Sequence, residues 1–284
     1  MRRWIAMPEG PEIRRQADAL ARAIVGERAT SVYFAFDHLA GYGARLRGRC
    51  VEDVSARGKA LLTTFDDGTV VYTHNQLYGR WMIRQPGHRP STNRQLRFAI
   101  DTPKKSALLY SASTIEVLVQ EELAYHPFLS KLGPDILDDA VTPKDVRARL
   151  VERRFVNKKL ATLYLDQAFL AGLGNYLRSE ILFVAGVHPN LRPRDLDEAA
   201  MMRLARATLR IARRAYATGG ITNLPSEAKK LKAQGQRRRA YRHFVFGRSG
   251  HPCRKCAERV ARLEISGRRV YVCPSCQRSN PDSA

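Results

Sequence analysis

The sequence predicts an α+β multidomain protein: an N-terminal antiparallel β-sandwich with flanking helices (a barrel is the alternative closure), a helical domain, and a terminal β-hairpin carrying four cysteines. Three observations predict it. Short apolar runs separated by tight turns fill residues 30–120. A helical apolar period replaces them from about residue 142 to 218. Two Cys-x-x-Cys pairs, Cys253/Cys256 and Cys273/Cys276, close the chain.

Residues 11–25 read as the first helix. Ile13, Ala17, Leu20, Ala21 and Ile24 share one face, Pro11 suits the first turn, and Gly26 follows the end. Strands are expected at Thr30–Phe36, Val51–Ser55, Ala60–Phe65 and Val70–His74, the last pair joined by the turn Asp66-Asp67-Gly68. Gln95–Thr102 and Ser106–Ser111 flank Pro103-Lys104-Lys105 as two more. Gly133-Pro134-Asp135 and Asp138-Asp139 mark a linker. Thr142-Pro143-Lys144-Asp145 supplies an N-cap, a first-turn proline and an acid at the third position. A long helix keeps Leu204, Thr208, Ile211 and Ala215 on one face and stops at Gly219-Gly220. Residues 220–243, rich in Lys, Arg and Gln, are expected to be a poorly packed connection. The domains are then 1–132, a hinge linker at 133–140, 141–248, and 249–284 for the cysteine segment.

Lys and Arg number 49 against 27 Asp and Glu, a formal charge of +22. A chain this basic binds polyanions, nucleic acid first among them. No apolar run approaches the ~20 residues of a membrane helix. Met1-Arg2-Arg3-Trp4-Ile5-Ala6 is basic but lacks the apolar stretch of a signal peptide. The expected location is cytoplasmic, associated with the nucleoid, and the expected state is a monomer.

In a reducing compartment, cysteines so spaced bind metal. Two pairs separated by residues 257–272 can close a tetrahedral four-sulfur zinc site, structural because no position remains for water. Ser266-Gly267 would turn a hairpin and set Arg268 and Arg269 at its tip, facing phosphate. The bland reading is a solvated pair. Cys50 stands apart with no assigned role. Asp166 to Tyr176 breaks a helical pattern at Gly172 and Gly174 and restarts it at Asn175, so free N–H groups point outward where a phosphate can sit. An ordinary helix–turn–helix hairpin reads equally well from these residues alone.

Met7-Pro8-Glu9-Gly10-Pro11-Glu12-Ile13 resembles the start of the endonuclease VIII branch of the formamidopyrimidine-DNA glycosylase superfamily. Arg57-Gly58-Lys59, His74-Asn75-Gln76-Leu77-Tyr78-Gly79, the Leu165–Arg178 stretch and the terminal cysteines follow in the family's order. The resemblance runs from Met7 to Gln277; Gly10 and Gln76-Leu77-Tyr78 point to the endonuclease VIII branch. It implies a helix-two-turn-helix in the helical domain and one structural zinc on Cys253, Cys256, Cys273 and Cys276. It also implies a bifunctional DNA glycosylase and abasic-site lyase of base excision repair, removing oxidised pyrimidines from double-stranded DNA.

The implied chemistry starts at Pro8. With Met7 removed, its free secondary amine, with a pKa near ~8, can attack C1′, expel the base and form an iminium ion. β- and then δ-elimination follow. Glu9 is implied as general acid/base, with Glu12 a further acidic candidate. Lys59 is implied to hold the phosphate beside the lesion, and Asn175 and Arg268 the flanking phosphates. Gln76, Leu77 and Tyr78 are implied to fill the void left by the flipped nucleotide. Alone, Lys59 would read as a solvated lysine and Glu9 as a helix-start charge. Six residues precede Met7. If they stay attached, Pro8 is an internal imide without a nucleophilic nitrogen, so the expected natural start is Met7. Two alternatives stay open here: an oxidised-purine glycosylase, and a non-catalytic zinc-ribbon DNA-binding protein.

Overall fold

The computed structural model describes residues 7–278; Met1–Ala6, and with them the question of the start, lie outside. The chain divides into two compact units, Met1–Lys131 and Leu132–Ala284.

The first unit opens with α1 (Gly10–Ile24), whose Ile13, Ala17, Leu20 and Ile24 are buried as their spacing predicts. There follow β1 (Ser31–Phe34), α2 (Ala40–Leu46), β2 (Val51–Arg57), β3 (Ala60–Phe65), β4 (Thr69–His74), β5 (Arg80–Arg84), β6 (Leu96–Asp101), β7 (Ser106–Tyr110) and β8 (Thr114–Val119). They form two four-stranded antiparallel sheets, ordered β1-β6-β7-β5 and β2-β3-β4-β8. One core joins the inner faces: Phe34, Trp81, Phe98 and Leu109 from one sheet, Val54, Leu61, Phe65 and Val71 from the other, and the apolar face of α1. This is the sandwich. β3 and β4 are buried on their outer face too, where Ala60, Leu62, Val70 and Tyr72 are covered by Leu118, Leu123, Phe128 and Leu129.

Three elements of this unit escape the sequence pattern: α2, β5 and β8. The sequence Ala40-Gly41-Tyr42-Gly43-Ala44-Arg45-Leu46 is a poor helix former, and only Leu46 is buried. Gly43 is there for closeness, since a β carbon on it would stand 2.6 Å from the Val32 carbonyl oxygen of β1.

The second unit contains α3 (Pro143–Leu150), α4 (Leu160–Leu163), α5 (Asn175–Ala185), α6 (Glu198–Thr218), α7 (Pro225–Ala233), α8 (Arg238–Tyr241), β9 (Ala261–Ile265) and β10 (Arg268–Val272). Thr142 caps α3 as expected, accepting from the Asp145 N–H. α6 ends at Gly219 in the left-handed conformation with Leu204, Thr208, Ile211 and Ala215 buried. The stretch 133–140 runs along this unit: Gly133 N–H donates to Gln167 O, Ala171 N–H to Pro134 O, and Ile136 is fully buried.

The expectation for 220–243 is corrected. The segment holds two helices, and its ends are anchored: Thr222, Asn223 and His243 are buried. The anchor is Glu180, far away in sequence. Its carboxylate accepts from Thr222 Oγ1 at 2.5 Å, Phe244 N at 2.8 Å, Val245 N at 2.8 Å and Phe246 N at 2.9 Å. The polar and basic residues that suggested loose chain are the exposed face of α7 and the turn after it.

Candidate functional site

In the first unit the chemistry-bearing residues gather at element ends. Pro8 is half-buried and directly precedes Glu9, the N-cap residue of α1. Glu9 is 3% exposed, so a carboxyl group lies desolvated beside the proline. Its backbone N–H donates to Glu12 Oε2 at 3.2 Å, which gives Glu12 a capping task at this helix start.

Lys59 occupies the two-residue turn between β2 and β3, where Gly58 takes φ +62°. Ala60 pairs with His74, which brings that turn to the end of β4. Burial and then the charge of Lys59 lower the His74 pKa, so its imidazole is neutral at pH 7, and Nδ1 accepts from the Gln76 N–H at 3.1 Å.

The loop 75–79 leaves β4 at that point. Asn75 is buried and donates through Nδ2 to Gln16 Oε1 of α1 at 2.7 Å, so the loop base is fastened to the helix that Pro8 and Glu9 begin. Gly79 N–H closes on Asn75 O at 2.7 Å; a β carbon on Gly79 would meet Asn75 Cα and O at 2.6 Å, so glycine alone fits. Within this frame Gln76 is exposed at φ +47°, Leu77 is half-buried, and Tyr78 is 61% exposed. The Gln76 amide is held by Thr114 Oγ1 and Ser113 Oγ, both at 2.9 Å. Arg94 Nη1 donates to Tyr78 O at 2.8 Å. The three residues therefore stand on a braced, solvent-facing loop.

In the second unit the break at 166–174 is built by Gln167. Its amide donates to Leu165 O at 3.1 Å and Leu173 O at 2.9 Å, and its oxygen accepts from Gly172 N at 3.1 Å. α5 then starts at Asn175, with Gly174 in extended conformation as its N-cap residue. Asn175 Oδ1 accepts from Arg178 at 2.7 Å, so the amide NH2 is the group it can offer a ligand.

The β9–β10 hairpin turns at Ser266-Gly267, with φ +51° and +69°, the pairing of signs that a two-residue turn demands. Arg268 is exposed at its tip, opposite Ile265, and Arg269 is half-buried. Arg178 connects this hairpin to α5. It is fully buried and donates to Ala161 O at 2.6 Å, Asn175 Oδ1 at 2.7 Å and Arg269 O at 2.7 Å. Arg178 and Glu180 are the residues that pattern reading passes over. Their signal is two charges inside a helix that is buried from Tyr176 to Phe183.

The four terminal cysteine sulfurs all lie within 4.8 Å of one another. Cys256 is 3.4 Å from both Cys273 and Cys276, and Cys253 is 3.9 Å from Cys276. Tetrahedral zinc with ~2.3 Å bonds holds its sulfurs about 3.8 Å apart, so the spacing fits the ion. The electrostatics fit as well. The Glu258 backbone N–H draws the Cys256 thiol down to about 7, while burial raises Cys273 and Cys276. Several thiolates cannot share so small a space without a cation. All four donors come from the chain, so the ion's part is to cross-link the finger.

Among the described residues, no helix is long and apolar enough to cross a membrane. Family models for the formamidopyrimidine-DNA glycosylase N-terminal domain and H2TH domain match residues 7–113 and 132–225. Endonuclease 8 of Escherichia coli is 48% identical over 95% of this chain and all of its own length. Endonuclease 8 of Salmonella paratyphi B is 47% identical over 96% of this chain and all of its own. A Lactococcus lactis Fpg structure in complex with DNA containing an abasic site matches with TM-score 0.79 at 21% identity, covering 95% of this chain and all of the other. A MutM structure in complex with DNA containing carbocyclic 8-oxo-G matches with TM-score 0.79 at 21% identity, covering 96% and 100%. At that identity the structural matches establish the fold.

Proposed function

The chain belongs to the formamidopyrimidine-DNA glycosylase/endonuclease VIII family, and on that premise we propose that it is a bifunctional glycosylase and abasic-site lyase of base excision repair whose nucleophile is the amine of Pro8. The observation that carries this reading is the placement of Pro8 beside the desolvated Glu9 carboxyl at the start of α1, the helix to which the loop 75–79 is fastened through Asn75 and Gln16.

Once Met7 is removed, the Pro8 nitrogen lone pair attacks C1′ of the damaged nucleoside. The glycosidic bond breaks, the base leaves with that bond's electrons and takes a proton, the nitrogen gives up its own proton, and cleavage of the C1′–O4′ bond with a proton delivered to O4′ leaves an iminium ion. Glu9 carries protons during sugar opening. Loss of the 2′ proton expels the 3′ phosphate, and a further elimination expels the 5′ phosphate. Lys59 holds the phosphate beside the lesion. Leu77 and Tyr78 fill the gap in the stack, and Gln76 addresses the orphaned base after letting go of Ser113 or Thr114. In the second unit, Asn175 at the start of α5 and Arg268 at the hairpin tip hold backbone phosphates. Zinc on Cys253, Cys256, Cys273 and Cys276 shapes the hairpin and takes no part in bond breaking. The domains act as 1–132 for chemistry, 133–140 as the joint, 141–248 for the helical DNA grip and 249–284 for the finger. The protein works as a monomer in the cytoplasm, on the nucleoid.

The substrate class is oxidised pyrimidine in duplex DNA, supported by the 48% identity to an endonuclease 8 and by Gln76-Leu77-Tyr78. Excision of thymine glycol and 8-oxoguanine from otherwise identical duplexes tests it. Thymine glycol is expected to be the faster substrate; preference for 8-oxoguanine would transfer the chain to the purine branch.

A further inference from the structure

On the second unit, a cavity of ≈ 320 Å³ opens between α6, α7 and the start of the zinc finger. Four cations line it: Arg210, Arg214, Arg254 and Lys255, against the single carboxylate of Glu227. Two of them are locked in place by neutral acceptors, although the charges of Glu180 and Glu227 offset part of the burial of Arg254. Arg214 Nη1 donates to Thr222 O at 2.9 Å, and Arg254 Nε to His243 O at 3.1 Å. Both acceptors are backbone carbonyls. None of the four forms an ion pair within 4.0 Å among the described residues.

Arg210 and Arg214 stand one helical turn apart on α6, where like charges oppose each other. Burial, and then the Arg210 guanidinium, hold the Arg214 pKa below the ordinary arginine value. Lys255 lies over the Phe183 ring, 5.1 Å from its centroid, and Phe244 adds an apolar wall. Val184, near the end of α5, also lines the cavity. Asn175 begins that helix, so the phosphate end of α5 lies about 14 Å away along its axis.

We propose that this cavity is a second anion site, one that takes a phosphate-class oxyanion. The planar donors of fixed arginines match phosphoryl oxygens. The volume exceeds a lone phosphate and suits a diphosphate, or a phosphate with a sugar against Phe244. The same chemistry has two sources: the backbone of a second stretch of DNA, or a free phosphate or nucleotide. Arg268 is not among the residues that line it.

Calorimetric titration of the full chain with pyrophosphate tests it, using wild type, Arg210→Glu and Arg268→Ala. Arg210 is exposed, so its reversal leaves the fold intact, which a thermal scan checks. Saturable binding is expected, weakened tenfold or more by Arg210→Glu and unchanged by Arg268→Ala. No saturable binding, or equal affinity in wild type and Arg210→Glu, overturns the proposal, as does an equal loss in Arg268→Ala. The salt dependence of binding to a long undamaged duplex then assigns the source. With DNA as the occupant, Arg210→Glu shrinks the salt slope of log K by about 0.9, because one phosphate contact and its released counterion are lost. With a free phosphate as the occupant the slope stays, while the pyrophosphate loss remains.

Discussion

Replacing Glu180 by Gln tests the internal framework most sharply. The carboxylate accepts four hydrogen bonds at 2.5–2.9 Å, three of them from the consecutive N–H groups of Phe244, Val245 and Phe246. Burial holds the pKa values of Arg248 and Arg254 below the ordinary arginine value, and the charge of Glu180 opposes that shift in both. Glutamine has the same size, and its oxygen can keep Val245 and Phe246. Its NH2 must then face the Phe244 N–H, donor against donor. Hydrogen bonds to a charged acceptor contribute ~1.5–3 kcal/mol each, and a buried donor left without a partner costs ~1–3 kcal/mol. Relief of the buried charge's desolvation offsets part of this. A net loss of ~3 kcal/mol follows, which for a unit of this size lowers Tm by about 6–12 °C. Calorimetry measures the shift, and hydrogen exchange at residues 244–246 locates it. Glu198→Gln, which breaks only the exposed pair with Arg147, serves as the control and should leave Tm where it was. A Tm for Glu180→Gln within ~2 °C of wild type, with those three amides still protected, would refute the assignment of Glu180 as the anchor of this segment.

Three further outcomes are expected. Cys256→Ser should lose metal and DNA affinity together, measured by metal analysis and duplex titration, because the finger folds only around its ion; an active wild type without zinc would contradict this. Leu77→Ala should slow excision from paired duplex far more than from single-stranded substrate, with an unchanged salt slope, whereas an equal loss on both would make Leu77 a support of the fold. Glu9→Gln should keep affinity for an abasic-site analogue while excision falls by ~10²-fold or more, and a near wild-type rate would leave Glu9 as a helix-start residue only.

Much of this fold is legible in the sequence wherever local rules and tertiary packing agree. β3 spans Ala60–Phe65 as read, α1 buries the face its period marks, and Thr142 caps α3 through its own motif. β5 is missed because Arg80-Trp81-Met82-Ile83-Arg84 follows a glycine loop and buries only Trp81 fully. α2 is missed because its glycine serves a neighbour, the Val32 carbonyl, that no local pattern reveals. The misreading of 220–243 has the same origin. Its order comes from Glu180, and a contact across 42 positions leaves no local trace at either end. The zinc ligands and the hairpin arginine follow from spacing and one turn. Arg178, which ties Asn175 to the hairpin backbone, emerges only from the folded chain.

The central claim is that the chemistry begins at a free Pro8 amine. Borohydride trapping on duplex DNA with an oxidised pyrimidine tests it, comparing a chain that begins at Pro8 with one that retains Met1–Ala6, both verified by intact mass. The Pro8-start chain should become covalently linked to the DNA. The longer chain should bind the same duplex with no trapped adduct, because an imide nitrogen cannot form the iminium. Equal trapping by the intact longer chain would contradict the account and require another nucleophile.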